Sequence, residues 1–325
     1  MFDLSMLQVI RKAQKHSYAA VFHMHRRTLL FLAASAWLFI ETAALAENSI
    51  QIQGSGQSRI NIDTANTTSS LIDIYQVGTG LENKIGGASP ITQGGINQTI
   101  RIGQGATYAT DVWTPGAAVS DNLAHISQSG ASGNRAEIYQ TTSSNTASIS
   151  QMSSSHTAKI TQEGSDTNSA TLTQNSSASL LATIIQNGAA ASTLVATHAA
   201  LTTGALTITQ GGAGGHEATL VTSSEYNGPG LTIEQTGSAN IASVTGMTGG
   251  SASITQSGTG GQVTLIDQDG GTLTILQQGT NNRLAITHYG TGASLDQALS
   301  VTQSGITVYD PDPPPSGPTY DPSAP

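Results

Sequence analysis

The chain has 325 residues, of which 10% are charged and 4% are aromatic, and its formal net charge at pH 7 is −9. Soluble globular domains carry about 25% charged residues, so this composition disfavours an ordinary globular core. The acidic balance argues against nucleic acid as a partner, and the lack of Cys removes disulfides, thiol catalysis and Cys-based metal sites.

Residues 1–46 are predicted to be a secretory signal peptide. Two arginines precede an apolar run over residues 28–40, and a small-x-small cleavage site ends at Ala46. The apolar run has about 13 residues and a membrane span needs roughly 20, so we expect cleavage and secretion and no stable membrane span. Met24 stands directly before the basic stretch, so residues 1–23 are a candidate for a mis-assigned leader.

Residues 47–119 are predicted to be degenerate copies of a short β-strand repeat. Segments 72–76 and 100–104 keep an alternation of aliphatic and other residues. Two stretches beside Pro90 and Pro115 break that alternation, and we interpret them as irregular coils or insertions. Degenerate copies at one end are typical of repeat arrays, because a terminal repeat faces solvent on one side.

Through residues 120–305 one strand pattern recurs. Its clearest copies are 134–140, 145–151 and 168–174, which share the pattern N-x-A-x-Φ-x-Q with Φ aliphatic. In an extended strand this period of two places Asn, Ala, Φ and Gln on one face. One Ala and one aliphatic residue make no core, so neighbouring copies must stack. The pattern therefore predicts an all-β fold, a β-solenoid of two short strands per coil.

The inward-facing residues form two predicted sets. The core set is a column of aliphatic side chains, and the ladder set is a column of Asn and Gln side chains whose amides bond from coil to coil. The core positions are Ile126, Ile138, Ile149, Ile160, Leu172, Ile184, Ile208, Ile233, Ile254 and Ile275. The ladder positions are Gln128, Asn134, Gln140, Asn145, Gln151, Gln162, Asn168, Gln174, Gln186, Gln210, Gln235, Asn240, Gln256, Gln277, Asn282 and Gln303.

Residues 306–325 are predicted to be a Pro-rich, acidic tail. The segment holds most of the 10 Pro residues of the chain. Proline cannot complete the hydrogen-bond ladder of a strand, so we expect an exposed, disordered extension of polyproline character.

Functions that need a localised site are disfavoured. His156, His198 and His288 occupy repeat positions without companion ligands, so we interpret them as polar substitutions and expect no metal or cofactor. An enzyme would need clustered carboxylates or a basic group, and the Asp and Glu residues are scattered. Ice binding would need a flat Thr array; Thr207 and Thr209 suggest one, but we expect no repetition in register.

Two segments, 140–151 and 235–244, resemble the curlin repeat Q-x-G-x-x-N-x-A-x-x-x-Q of curli fibre subunits, and the resemblance extends with drift over roughly residues 60–303. It implies an extracellular amyloid fibre subunit that self-associates, or joins other curlin-like subunits, after export through an outer-membrane secretion apparatus. It also implies a role in biofilm matrix and surface adhesion. Nucleating and elongating roles both stay open, and a monomeric β-solenoid adhesin is the alternative.

Overall fold

The computed structural model describes the chain in segments between residues 19 and 304. They are residues 19–22, 28–33, 36–43, 49–55, 58–68, 71–76, 83–85, 91–109, 112–115, 122–141, 144–164, 167–175, 180–188, 190–199, 204–222, 230–247, 250–268, 271–289 and 298–304. From residue 71 onward the side chains of most residues in these segments are described; those of residues 106–109, 112–115 and several strand ends, such as residues 198–199 and 287–289, are not. The predicted tail at 306–325 and residues 1–18 of the predicted leader lie outside the described residues.

The described residues form 27 strands and no helix. The strands of the first half are β1 (Ala19–Phe22), β2 (Thr28–Ala33), β3 (Ala36–Ala43), β4 (Ser49–Ser55), β5 (Ser58–Thr68), β6 (Leu71–Gln76), β7 (Asn83–Ile85), β8 (Ile91–Ile96), β9 (Thr99–Gln104), β10 (Ala106–Ala109), β11 (Val112–Pro115), β12 (Asn122–Ser132) and β13 (Arg135–Gln140). The strands of the second half are β14 (Thr146–Ser154), β15 (His156–Gly164), β16 (Asn168–Asn175), β17 (Leu180–Gly188), β18 (Ser192–Ala199), β19 (Gly204–Gly211), β20 (His216–Thr222), β21 (Gly230–Thr236), β22 (Ile241–Thr245), β23 (Ser251–Ser257), β24 (Gln262–Gln268), β25 (Thr272–Gln278), β26 (Arg283–Tyr289) and β27 (Ala298–Gln303).

Two large parallel sheets contain nearly all of these strands. Sheet 1 has 13 strands in the order β1-β3-β5-β7-β12-β14-β16-β18-β20-β22-β24-β26, with β8 beside β5 and β12. Sheet 2 has 12 strands in the order β2-β4-β6-β9-β13-β15-β17-β19-β21-β23-β25-β27. From β12 onward the chain alternates between the sheets, so each coil gives one strand to each. The predicted all-β solenoid with two short strands per coil is confirmed.

Equivalent residues of the repeat lie above one another in register. Between β13 and β15, Ile138 pairs with Ile160 and Gln140 pairs with Gln162. Between β14 and β16, Gln151 pairs with Gln174. The sequence enforces this alignment, because a shift of one residue would turn every aliphatic side chain of a strand toward solvent.

The core lies between the two sheets. Side chains of β16 alternate between buried and more exposed positions along the strand, as the period of two predicts. Each of the ten predicted aliphatic positions, from Ile126 to Ile275, is at most 1% exposed. Burying one such side chain contributes about 1.5–3 kcal/mol, so the stacked column is the main favourable term. In the last coil Leu284 and Ile286 pack against this core but are only partly buried.

The corner between a sheet 2 strand and the next sheet 1 strand is built from glycine and left-handed residues. Gly258, two residues after Gln256, has φ +137°, and a Cβ there would collide with the carbonyl oxygen of Gly237 one coil away. Ala239 and Asn281, each directly before an Asn of the repeat, have φ +54° and +60°. These backbone conformations turn the chain at the corner. The missing side chain of Gly258 also allows the corner to pack closely on that of the neighbouring coil.

The N-terminal part departs from the regular pattern at one hairpin. Strands β10 and β11 pair antiparallel in a sheet of their own, so the stretch beside Pro115 is an inserted hairpin. Strands β1, β2 and β3 lie within the predicted signal segment and join the two large sheets: β1 pairs with β3, β3 with β5, and β2 with β4. Cleavage after Ala46 stays a prediction.

Replacing Gly258 with Ala tests the stacked corner. We expect Gly258→Ala to lower the free energy of unfolding by about 3 kcal/mol, because the new methyl group overlaps a backbone oxygen that cannot move without shifting a whole coil. Urea unfolding followed by circular dichroism measures the loss. Thr259→Ala, at the exposed next residue, is the control and should change stability by less than about 0.5 kcal/mol. Similar losses in both variants would contradict the stacking argument.

Candidate functional site

The most extended feature of the interior is a ladder of Gln side chains in sheet 2. In each neighbouring pair, Nε2 of the later Gln donates to Oε1 of the Gln one coil earlier. The N···O distances lie between 2.7 and 2.9 Å for the pairs up to Gln277, and Gln303 donates to Gln277 in the same way. The members are Gln104, Gln140, Gln162, Gln186, Gln210, Gln235, Gln256, Gln277 and Gln303.

Each ladder Gln from Gln104 to Gln277 also donates to a backbone carbonyl at the start of the next sheet 1 strand. Nε2 of Gln210 donates to the carbonyl oxygen of Glu217 at 3.0 Å, and Nε2 of Gln235 donates to that of Ile241 at 2.8 Å. Both Gln side chains are at most 1% exposed. A buried amide without partners costs free energy, so the second bond is what permits a polar column beside an aliphatic core.

Sheet 1 carries a shorter Gln ladder. Gln151 donates to Gln128 and Gln174 donates to Gln151, both at 2.8 Å. The register then places His198 and Thr222 at the next two positions. Gln174 Oε1 is buried and has no hydrogen-bond partner among the described residues. The sheet 1 ladder therefore ends at the coil that contains Gln174.

The predicted Asn positions, together with Asn122, which was not predicted, divide into two groups. Asn122, Asn145 and Asn168 form a column in which Nδ2 donates to the next Oδ1 at 3.3 and 3.2 Å. In contrast, Oδ1 of Asn134, Asn240 and Asn282 accepts from backbone N–H groups at 3.1, 3.2 and 3.1 Å. On the described adjoining coils, no residue of the second group lies next to another Asn. These side chains therefore bind backbone N–H groups.

The Asn column is interrupted one coil after Asn168. Ser192 pairs with Asn168 in register, and its side chain is too short to reach the amide. Asn168 Nδ2 and Ser192 Oγ are both buried without a hydrogen-bond partner in the part of the chain that the structure describes. The Asn column and the sheet 1 Gln ladder thus end between the same two strands, β16 and β18.

His216 occupies the column position that follows Ser192, and sequence reasoning did not single it out. It stands six residues after Gln210, which is the spacing of a ladder Asn. The imidazole is 1% exposed and neither ring nitrogen has a hydrogen-bond partner within the described segments. Burial lowers the pKa of His216 below its usual range, so the ring is neutral at pH 7.

The interior repeats hydrogen-bonding side chains from one coil to the next. Within the described residues, no three His, Asp or Glu side chains come together as metal ligands. The same residues contain no helical segment with the length and hydrophobicity of a membrane span. The aliphatic side chains and the Gln of sheet 2 recur from coil to coil, whereas the polar positions of sheet 1 vary.

Comparison with known protein families identifies a repeat in the regular part of the solenoid. The family model described as Curlin associated repeat matches residues 120–152 and 131–164, which contain β12 to β15. Comparison with curated proteins and with solved structures gives no significant match. The matched segment covers 45 of the 325 residues, and the curlin repeat is a structural repeat.

Restoring the interrupted Asn column should stabilise the fold. We expect Ser192→Asn to raise the free energy of unfolding by about 1 kcal/mol, because the new Oδ1 can accept from Asn168 Nδ2. Thr193→Asn, at the next and outward position, is the control and should be close to neutral. Urea unfolding measures the free energy of unfolding of both variants. If Ser192→Asn is no more stable than Thr193→Asn, the interrupted column does not reduce the stability of the fold.

We expect the free energy of unfolding to fall as the pH is lowered, in part because of His216. Its folded pKa is lowered below the unfolded value of about 6.5, so the unfolded state binds more protons between these two values. The contribution of this His is complete above pH 6.5 and is lost as pH falls below it. Burial lowers the pKa of His125 and His156 as well. His216→Asn should therefore reduce, without removing, the slope of unfolding free energy against pH between 5 and 6.5, by up to about 1.4 kcal/mol per pH unit. An unchanged slope would contradict the role of His216.

Proposed function

We propose that the chain is a secreted structural subunit of a curli-like extracellular amyloid fibre that acts in biofilm matrix and surface adhesion. The observation that carries the proposal is the sheet 2 Gln ladder, which runs in register from Gln104 to Gln303 in the last strand. A ladder that continues through a molecule can continue into the next one, because each coil presents the same amide at the same place.

The end of the solenoid supports growth by addition of another copy. Strands β26 and β27 are the last in their sheets, so one edge of each has backbone groups without a neighbouring strand among the described residues. Val301 in β27 is 40% exposed, and Leu284 and Ile286 are partly buried. A following coil would cover these aliphatic side chains and pair both strand edges. Because the two ends of a solenoid are different surfaces, such addition is head-to-tail and open-ended.

The partners follow from this proposal. The chain self-associates or adds to other curlin-like subunits, and an outer-membrane secretion apparatus exports it after removal of residues 1–46. Curlin-family proteins are extracellular, which supports secretion. The ladder alone does not distinguish a nucleating from an elongating subunit, since both would present the same terminal strands.

The direct test is assembly of the purified chain, with and without residues 1–46, in dilute buffer. Thioflavin fluorescence follows growth, and fibre diffraction should show reflections near 4.8 and 10 Å, the spacings of strands and of stacked sheets. A β-rich monomer that does not grow even on added fibre seeds would contradict the proposal and favour a monomeric adhesin.

The ladder mechanism has its own test. We expect Gln186→Leu combined with Gln210→Leu to slow fibre growth at least several-fold, because the pair breaks three successive amide bonds while keeping apolar volume. The control is Thr183→Val combined with Thr207→Val on the outward side of the same two strands. Equal growth rates of the two double variants would exclude the amide ladder as the source of fibre stability.

A further inference from the structure

The two sheets differ in the number of strand layers that remain once residues 1–46 are removed. A layer is the place of one strand in the stack of its sheet. Without β1 and β3, sheet 1 has ten layers, because β7 and β8 both lie between β5 and β12 and share one layer. Without β2, sheet 2 has eleven layers, from β4 to β27. The described strands of the shortened chain therefore begin and end in the same sheet.

This difference decides how a second copy can add to the C-terminal end. The chain alternates between the sheets, so the layer that follows β27 belongs to sheet 1, whereas the second copy begins with β4 of sheet 2. If the second copy kept the orientation of the first, its β4 would pair with β27. The sheet 1 layer between β26 and β5 of the second copy would then be empty, and these two strands would lie about 9.6 Å apart, twice the spacing of paired strands.

A half-turn of the second copy about the solenoid axis removes the empty layer. Its β4 then pairs with β26 and its β5 pairs with β27, so each sheet of one molecule continues as the other sheet of the next. The two strands of a coil run in opposite directions across the solenoid, and a half-turn brings each strand over one that runs the same way. The pairing stays parallel, and the backbone groups of all four strand edges find partners.

The aliphatic positions at the junction favour the half-turn. Leu284 and Ile286 in β26 are only partly buried at the end of the core. In β4, Ile50 and Ile52 are in register with buried core residues of β6. After a half-turn these two aliphatic pairs occupy adjacent layers, so the core continues from one copy into the next. Without rotation, Leu284 and Ile286 adjoin the empty layer and stay in contact with water, which is unfavourable for apolar side chains.

The residues at the Gln position of the repeat favour the same junction. Gln303 is the last member of the sheet 2 ladder. The register gives the equivalent position to Thr64 in β5 and to Gly54 in β4. After a half-turn the next layer offers Gln303 a hydroxyl residue, which can donate to the amide oxygen as a ladder Gln does. Without rotation the next layer offers a glycine, which has no side-chain donor.

We propose that successive copies in the fibre are related by a half-turn about the fibre axis, with β26 and β27 of one copy paired to β4 and β5 of the next. The inference rests on the proposed fibre function and on the removal of residues 1–46. Asp73 and Arg101, which form an ion pair at outward positions of sheet 2, then lie on opposite sides of the filament in successive copies. The filament repeats after two copies and not after one.

Introduced cysteine pairs distinguish the two junctions. The chain contains no Cys, so no native thiol competes. Ser300 is exposed at an outward position of β27, and the equivalent outward positions are Asn61 in β5 and Gln51 in β4. Residues in adjacent layers are close enough for a disulfide, whereas residues on opposite sheets are not. The test variant carries Ser300→Cys and Asn61→Cys, and its matched control carries Ser300→Cys and Gln51→Cys.

Each variant without residues 1–46, the form that the proposed fibre contains, is assembled, oxidised and separated by denaturing electrophoresis without reductant. We expect the test variant to give at least about tenfold more disulfide-linked multimers than the control. Single-Cys variants measure linkage between neighbouring filaments, which gives dimers only. In the full chain, β1 to β3 separate Asn61 and Gln51 from the end of the solenoid, so neither pair should form multimers.

Electron microscopy of the parent fibre is a second measurement, independent of the variants. Its helical symmetry should relate neighbouring copies by a half-turn in addition to the twist of the solenoid itself. Multimers from the control and not from the test variant, multimers from neither, or equal multimers from the full chain would overturn the half-turn and leave the fibre function intact. A parent chain that forms no filaments at all would overturn both proposals.

Discussion

A glutamine buried inside a protein must find partners for two N–H donors and a carbonyl oxygen, and in this chain a glutamine one coil away completes the set. Gln186, for example, donates to Gln162 and accepts from Gln210. The requirement fixes the register, because any slip would leave every amide of the column without a partner. The aliphatic core supplies most of the free energy and favours the same register, because a shift of one residue would expose its side chains.

The period of two and the recurring Asn and Gln positions were sufficient to predict two sheets, their inward faces and the aliphatic column from Ile126 to Ile275. They did not show that Asn134, Asn240 and Asn282 bind backbone, because that depends on which residue occupies the same position one coil away. Ser192 and His216 stand at repeat spacing and could have been found from it. We expected no repetition of Thr207 in register, and this is wrong: the register aligns Thr207 with Thr183 and Thr232 on neighbouring strands of sheet 2, an alignment that sequence spacing alone does not show.

The two sheets share one repeat pattern but differ in the residues that occupy its Gln position. Sheet 2 keeps its Gln ladder through the last described strand, whereas sheet 1 replaces Gln after Gln174 with His198 and Thr222. Thr222 adapts by donating its hydroxyl to the carbonyl oxygen of Thr245 at 3.0 Å. One unbroken column is evidently enough to hold the register, since sheet 1 pairs remain aligned through β26.

The direction of the amide bonds has a consequence for the whole molecule. Between Gln104 and Gln303 every amide bond of the sheet 2 ladder is donated toward the N-terminal coil, so the side-chain amide dipoles add along the axis. The column therefore has polarity: its carbonyl oxygens point toward the C-terminal end and its N–H groups toward the N-terminal end. A filament assembled from such units has two chemically unlike tips, which should grow at unequal rates and respond to different terminating molecules.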